Sequence, residues 1–241
     1  MLTGQNPWPT PRHRRCGPTT LVGVSHAVIS SSTVIVDDAR QSPPTRKAVR
    51  RVVESALSDA PSRLIVEPGD CAYPDVLLAE VVAILMISER LDVEVAYTPS
   101  YATPATRRYG LPHGQAAVDL ARDGDAHALP LIRDDAATVL VGSARHLGAD
   151  GAKLHGESYV DDARLFTGSV RGVRIEPTRE APGVRARVER TLRQGSWHVG
   201  RAAQTGGSNL VVEREGVLTE RTVKRSTFYR HHIDWKLVCH S

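Results

Sequence analysis

Residues 63–75, RLIVEPGDCAYPD, place Gly69, Asp70 and Cys71 between an apolar run and the pair Pro74-Asp75. A strand that turns through glycine into a helix start is one way to hold an anion. Glycine lets backbone N–H groups approach a phosphate, and a helix N-terminus adds partial positive charge. The same residues also make an ordinary strand-to-helix turn. Pro68 has no N–H to donate, and Cys71 brings a side chain where glycine would give access. Asp75 stabilises the helix start by about 0.3–1 kcal/mol and repels phosphate. In the favoured reading Asp70 caps the helix or fixes the turn. Cys71 is an activated thiol or, more simply, a small buried residue.

Other acids and bases face the same choice. Asp134-Asp135 and Asp161-Asp162 could bind Mg²⁺ together with substrate phosphates, but both pairs fall between strands, where Asp favours a hairpin turn. Asp37-Asp38 ends a strand and serves either purpose. Arg107 and Arg108 can clamp an anion bidentately or form a solvated face. His231-His232 reads as a surface pair rather than a metal site. Cys16, Cys71 and Cys239 are isolated, which fits a reducing, cytoplasmic setting and gives no zinc pattern. No G-x-S-x-G elbow is present.

The elements that would position these residues alternate in the first half. Runs 19–25, 33–38, 63–67 and 92–99 read as strands. Residues 45–60 repeat Val49, Val52, Val53, Ala56 and Leu57 at helical spacing, and 74–89 opens on Pro74 as a second helix. Residues 103–114 read as a loop and 115–124 as a short helix. Past residue 125 the pattern predicts antiparallel strands: 127–147 as one hairpin, 153–177 as another, then strands to the end, with QTGGSN (204–209) as a loop. The fold class is therefore an N-terminal α/β lobe with a mostly parallel sheet plus an all-β, antiparallel sandwich-like lobe. The expected division is a disordered extension at 1–18, an α/β lobe at 19–124 and a β-rich lobe at 125–241, whose last strands can return to the first lobe.

Composition sets the outer limits. Of 241 residues, 41% are hydrophobic and only 5% aromatic, so a packed core is expected and must be filled by aliphatic side chains. The net charge of +4 is too modest to argue for nucleic acid. The basic, aromatic stretch 221–236 reads as an alternating strand. The start, MLTGQNPWPTPRHRRCGP, has no apolar signal core, and reads as an extension or an upstream start included in the chain. The apolar run 76–87 is too short to span a bilayer, which takes about 20 residues, and contains Glu80.

The order of these features resembles the diacylglycerol kinase and NAD kinase superfamily, most of all the bacterial lipid kinases of the diacylglycerol kinase catalytic family. The likeness covers roughly 19–241. That family carries a GGDGT loop after a strand; EPGDCAY stands there, with Gly69 and Asp70 matching. A GTxND segment ends in an LGLP-like stretch; TPSYATPATRRYGLP keeps Arg107, Gly110, Leu111 and Pro112. Ser100-Tyr101 falls where Gly-Thr is expected, and Thr103-Pro104 where Asn-Asp is expected. Glu215-Gly216 lies near a position of Asp-Gly-Glu. The resemblance implies an ATP-dependent phosphotransferase acting on a lipid hydroxyl with Mg²⁺. Asp70 would be catalytic; Gly69, Cys71, Ser100, Tyr101, Arg107 and Arg108 would bind nucleotide phosphate; Asp134, Asp135 and Glu215 would meet substrate or metal. The eroded loops imply impaired turnover or a pseudokinase-type binder of nucleotide, lipid or another small molecule. The expected setting is cytoplasmic or peripheral to a membrane, with no transmembrane segment. A homodimer is compatible with it, and a nucleic-acid-binding protein is the less favoured alternative.

Overall fold

The computed structural model describes residues 25–34, 42–191 and 194–240. Its helices are α1 (Ser31–Val34), α2 (Arg46–Leu57), α3 (Pro74–Ile87), α4 (Pro104–Tyr109) and α5 (Gln115–Asp123). Its strands begin with β1 (His26–Ser30), β2 (Arg63–Glu67), β3 (Glu94–Tyr97) and β4 (Ala126–Leu129). There follow β5 (Ile132–Asp134), β6 (Val139–Leu140), β7 (Ala144–Gly148), β8 (Leu154–Val160) and β9 (Ala163–Val170). The chain continues through β10 (Gly172–Pro177), β11 (Val184–Glu189), β12 (His198–Gly200), β13 (Ala202–Arg214), β14 (Val217–Arg230) and β15 (Trp235–Val238).

One sheet has the order β1-β2-β3-β15-β4. Its pairs β1/β2, β2/β3 and β3/β15 are parallel, and β4 closes it antiparallel to β15. Leu64 and Val66 of β2 are fully buried, as suits a strand with helices over its face. α2 starts at Thr45, whose hydroxyl accepts the Ala48 N–H, and buries Val49 and Val53. α3 is apolar on nearly all sides and is correspondingly buried from Leu77 to Met86 on all but one of its faces. It packs on β2, α2 and β6, so it forms the seam between the two sheets. Arg46 and Glu80 tie α2 to α3 at 2.7 Å.

The second sheet is antiparallel, in the order β12-β11-β10-β7-β13-β14-β5-β6, with β8 and β9 branching from β13. Its core is aliphatic apart from Phe166 and Phe228. The core under the first sheet is also mainly aliphatic, closed by Tyr109 and Trp235 in an edge-to-face pair with centroids 5.6 Å apart.

Several expectations change. The 103–114 segment holds α4: Thr103 and Thr106 form a reciprocal capping box, Pro104 occupies the first turn, and Gly110 at φ 66° closes the helix. The 127–147 hairpin shrinks to β5/β6, because β4 joins the first sheet and β7 leaves to pair with β10 and β13. QTGGSN lies inside β13, which passes so close to β8 that neither Gly207 nor Gly156 opposite has room for a side chain. Residues 33–34 are helical rather than extended. The remainder of the 33–38 run, the 19–24 run, Asp37-Asp38, Cys16 and the extension 1–18 lie outside the described residues. The β8/β9 hairpin turns at Asp161, whose carboxylate accepts the Arg201 and Ala202 N–H groups at 3.0 Å.

Candidate functional site

α3 begins where β2 ends, so the first residues of the helix meet the second sheet. Asp75 sits there, 4% exposed. One of its oxygens accepts the Tyr97 hydroxyl and the other accepts the Ala105 N–H, each at 2.9 Å. Ala105 belongs to the first turn of α4, whose backbone donors have no intrahelical partner. Asp75 therefore fastens α3, β3 and α4 together. Burial raises its pKa against the opposing hydrogen bonds from Thr103, Ala105 and Tyr97.

Glu215 comes from the other sheet. With Gly216 it forms the turn between β13 and β14, at φ 48° and 81°, the left-handed pair that a tight hairpin requires. Its side chain folds back onto the backbone. One oxygen accepts the N–H groups of Val141 and Gly142 at 2.8 and 2.9 Å; the other accepts from Gly142 and Ser143 at 3.1 and 3.2 Å. Burial, and then the charge of Asp75, push its pKa up to about 8 against these backbone donors. Gly142 separates the two acids: a Cβ there would lie 2.5 Å from a Glu215 oxygen and 3.0 Å from an Asp75 oxygen. Burial thus raises both carboxyls, and the charge of Asp75 raises Glu215 further.

These residues line a cleft of about 460 Å³ between the sheets, together with Tyr73, Tyr101, Ser143, Arg145 and Arg174. Arg145 is held by Glu189 at 2.7 Å and by Glu213 at 3.7 Å, and the Glu189 hydrogen bond raises its pKa. Carboxylates whose oxygens already accept several donors are poor ligands for a divalent cation. No cluster of three or more His, Cys, Asp or Glu able to hold a metal occurs among the described residues. The residues present therefore do not fit a protein-held Mg²⁺.

The residues singled out from the sequence fall in several places. Glu215 and Tyr101 line the cleft. Gly69 has φ 54°, so glycine suits the turn, and Asp70 beside it is exposed and off the cleft wall. Cys71 is buried; its N–H donates to the Pro68 carbonyl at 3.1 Å, and its own carbonyl accepts the Tyr101 hydroxyl at 3.3 Å. Ser100 is exposed, and Arg107 is exposed with a donor on the Ala102 carbonyl at 3.3 Å. Arg108 pairs with Glu176 at 2.9 Å. Asp134 is 2% exposed and occupied: it accepts the Ala136 and Thr138 N–H groups at 2.9 Å and an Arg214 guanidinium at 2.6 Å. It is a turn and core residue, and Asp135 beside it points to solvent. Sequence reasoning missed Asp75 as a site residue, although an acid in the first turn of an apolar helix was visible. It also missed Arg145, Arg174, Glu189 and Glu213, which only strand pairing brings together.

No protein-family model matches the sequence, and no curated protein matches it. Solved structures do. One named "putative diacylglycerol kinase" from Bacillus anthracis str. Sterne superposes with a TM-score of 0.63 at 8% identity, over 90% of this chain and 97% of its own. A second structure of that name and organism gives 0.58 at 8% identity, over 81% and 83%. An NAD kinase from Archaeoglobus fulgidus, in complex with ATP, gives 0.52 at 10% identity, over 88% and 92%. A mostly parallel sheet, a large antiparallel sheet and a cleft between them thus give this chain the fold of the diacylglycerol kinase and NAD kinase structures.

Proposed function

We propose that this protein binds a phosphorylated small molecule in the cleft between its sheets, and that the turn after β2 no longer holds the phosphate. One observation carries this reading. The 68–71 turn is closed on itself: the Cys71 N–H is spent on the Pro68 carbonyl, and Tyr101 covers the Cys71 carbonyl. A phosphate arriving there would find the Cys71 donor taken and no N–H at Pro68. The cleft beside it keeps volume, acids and arginines. Because the archaeal NAD kinase of this fold carries ATP, a nucleotide is the first ligand to try. A lipid, suggested by the names of the Bacillus structures, is the second. No helix among the described residues is long and apolar enough to cross a membrane.

A second reading keeps turnover, and Glu215 favours it. A carboxylate pushed up to about 8 in a cleft suits a general base near neutral pH, here for a lipid hydroxyl receiving a phosphoryl group. Asp75 would then hold α4 and the base in place. Thermal denaturation with nucleotides, with and without Mg²⁺, run beside transfer of radiolabelled phosphate from ATP to mixed lipids, separates the two. Stabilisation without transfer supports a binding protein. Transfer that is lost in Glu215→Gln supports the kinase. Neither response overturns both.

A further inference from the structure

The face of the second sheet that borders the cleft carries an arrangement that folding alone disfavours. Arg174 of β10 stands directly opposite Arg145 of β7 on one side and Arg187 of β11 on the other. Three arginines thus stand in register on neighbouring strands, whose backbones are about 4.8 Å apart. Like charges directly opposite one another destabilise a sheet. Glu213 of β13 pairs with Arg145 at one end of the row. At the other end Arg187 and Arg185 lie over the Trp197 ring, 4.5 and 4.3 Å from its centroid.

The surrounding acids do not balance this row. Glu189 and Glu213 serve Arg145. Glu176 alone serves Arg174, Arg185 and Arg108, at 2.8, 2.7 and 2.9 Å. Arg187 has no carboxylate among the described residues, and its Nε is buried without a hydrogen-bond partner. Five arginines therefore meet three glutamates. Crowding is felt locally: burial, and beyond it Arg185 and Arg174, lower the pKa of Arg108 against the pull of Glu176. Asp75 and Glu215 line the same cleft, but their oxygens are taken up by Tyr97, by the Ala105 N–H and by the 141–143 backbone. Arg145 and Arg174 line the cleft, and Arg187 continues the row behind them.

We propose that Arg174 and Arg187, flanked by Arg145, form a binding site for a phosphoryl group at the edge of the cleft. A planar guanidinium holds phosphate oxygens bidentately, and two of them side by side match a terminal phosphate or a pyrophosphate. An aromatic platform beneath Arg187 fixes that side chain without neutralising it. The inference rests on the reading that the cleft takes a phosphorylated ligand, and assigns the part of the ligand that the second sheet holds. The phosphoryl group could belong to a dissolved nucleotide or to a phospholipid headgroup.

The test uses the full chain at one fixed, moderate salt concentration, with inorganic pyrophosphate as the probe. Isothermal titration and thermal denaturation are run on the wild type, Arg174→Gln, Arg187→Gln and Arg221→Gln, the last an exposed cation on β14 that controls for bulk charge. Pyrophosphate should stabilise the wild type and Arg221→Gln alike, and bind Arg187→Gln and Arg174→Gln at least about tenfold more weakly, a loss of about 1.4 kcal/mol. Without pyrophosphate, Arg187→Gln should melt at or above the wild-type temperature, since it removes a repelled charge. If Arg187→Gln does not fold, Arg187→Lys, which keeps the charge and loses the fork, should fold and bind more weakly. Pyrophosphate binding that is absent in the wild type, unchanged in Arg187→Gln or Arg187→Lys, or weakened equally in Arg221→Gln overturns the site. ATP is titrated in parallel. A wild type that answers pyrophosphate but no nucleotide keeps the arginine site and removes the nucleotide reading; one that answers ATP equally with and without Arg187 does the reverse. Co-sedimentation with phosphatidylcholine vesicles, with and without phosphatidic acid, separates the sources. Arg187-dependent capture by phosphatidic acid assigns a lipid headgroup, and an Arg187-dependent response to pyrophosphate alone assigns a dissolved ligand; either supports the site.

Discussion

Asp75 and Glu215 reach one point from two different sheets: an oxygen of each lies within 3.0 Å of where a Cβ on Gly142 would sit. Gly142→Ala places a methyl group between them and also 2.9 Å from Pro104. It should destabilise the protein by about 1–3 kcal/mol, the usual range for overpacking, read as a lower urea midpoint at unchanged slope. A variant as stable as the wild type would show that the carboxylates do not converge there.

The same pair should make stability depend on pH. A carboxyl whose folded pKa is raised binds its proton more tightly when folded. Between the ordinary value of 4.5 and about 8 the unfolded chain therefore holds fewer protons, and stability falls as pH rises through that window. The slope is at most about 1.4 kcal/mol per pH unit for one group. Asp75→Asn can still accept the Ala105 N–H and can donate to the Tyr97 oxygen, so the packing is kept while a neighbouring charge is lost. Glu215 should then titrate lower and the slope should flatten, measured by urea unfolding at intervals from pH 5 to 8. An identical slope in Asp75→Asn would break the link.

Tyr97→Phe removes the hydroxyl that donates to buried Asp75 at 2.9 Å. Thr103 and the Ala105 N–H remain, so the carboxylate is under-served rather than stranded. A loss of about 1–2 kcal/mol is expected in chemical denaturation. A change below about 0.5 kcal/mol would mean that the hydroxyl does not serve Asp75.

The turn after β2 should prove structural. Pro68→Gly with Cys71→Gly restores glycines, but the residue 71 N–H still points at the residue 68 carbonyl. The double variant should gain no nucleotide affinity and should lose about 1–2 kcal/mol, from chain entropy and from the vacated core position of Cys71. Asp70→Ala, at an exposed position off the cleft wall, should alter neither melting temperature nor ligand response. Improved ATP binding in the glycine variant, or its loss in Asp70→Ala, would return the phosphate to this turn.

What could be read from residue order was what neighbours in the chain decide. Val49 and Val53 announced α2, β2 stands where its apolar run does, and α3 begins at its proline. α4 escaped because its six residues are too few for a period to show, although Thr103, Pro104, Thr106 and Gly110 hold every cap position. Gly206 and Gly207 suggested a loop because the close passage of β8, which leaves no side-chain room at Gly207, lies some 50 residues away in the chain. The cleft was harder still. Glu215 came into view only through family likeness, and the row of Arg145, Arg174 and Arg187 depends on the register of three strands. The apolar and charged alternation of β10 and β11 shows which residues share a face, but not which strands are neighbours or which residues stand opposite.

β15 lies between β3 and β4 in the first sheet, although the whole second sheet separates it from them along the chain. During synthesis, then, the first sheet must wait with a gap between β3 and β4 until residues 235–238 have left the ribosome. A nascent chain halted anywhere before that point would expose the facing edges of β3 and β4 and leave the socket for Trp235 empty, a form for chaperones rather than for ligand.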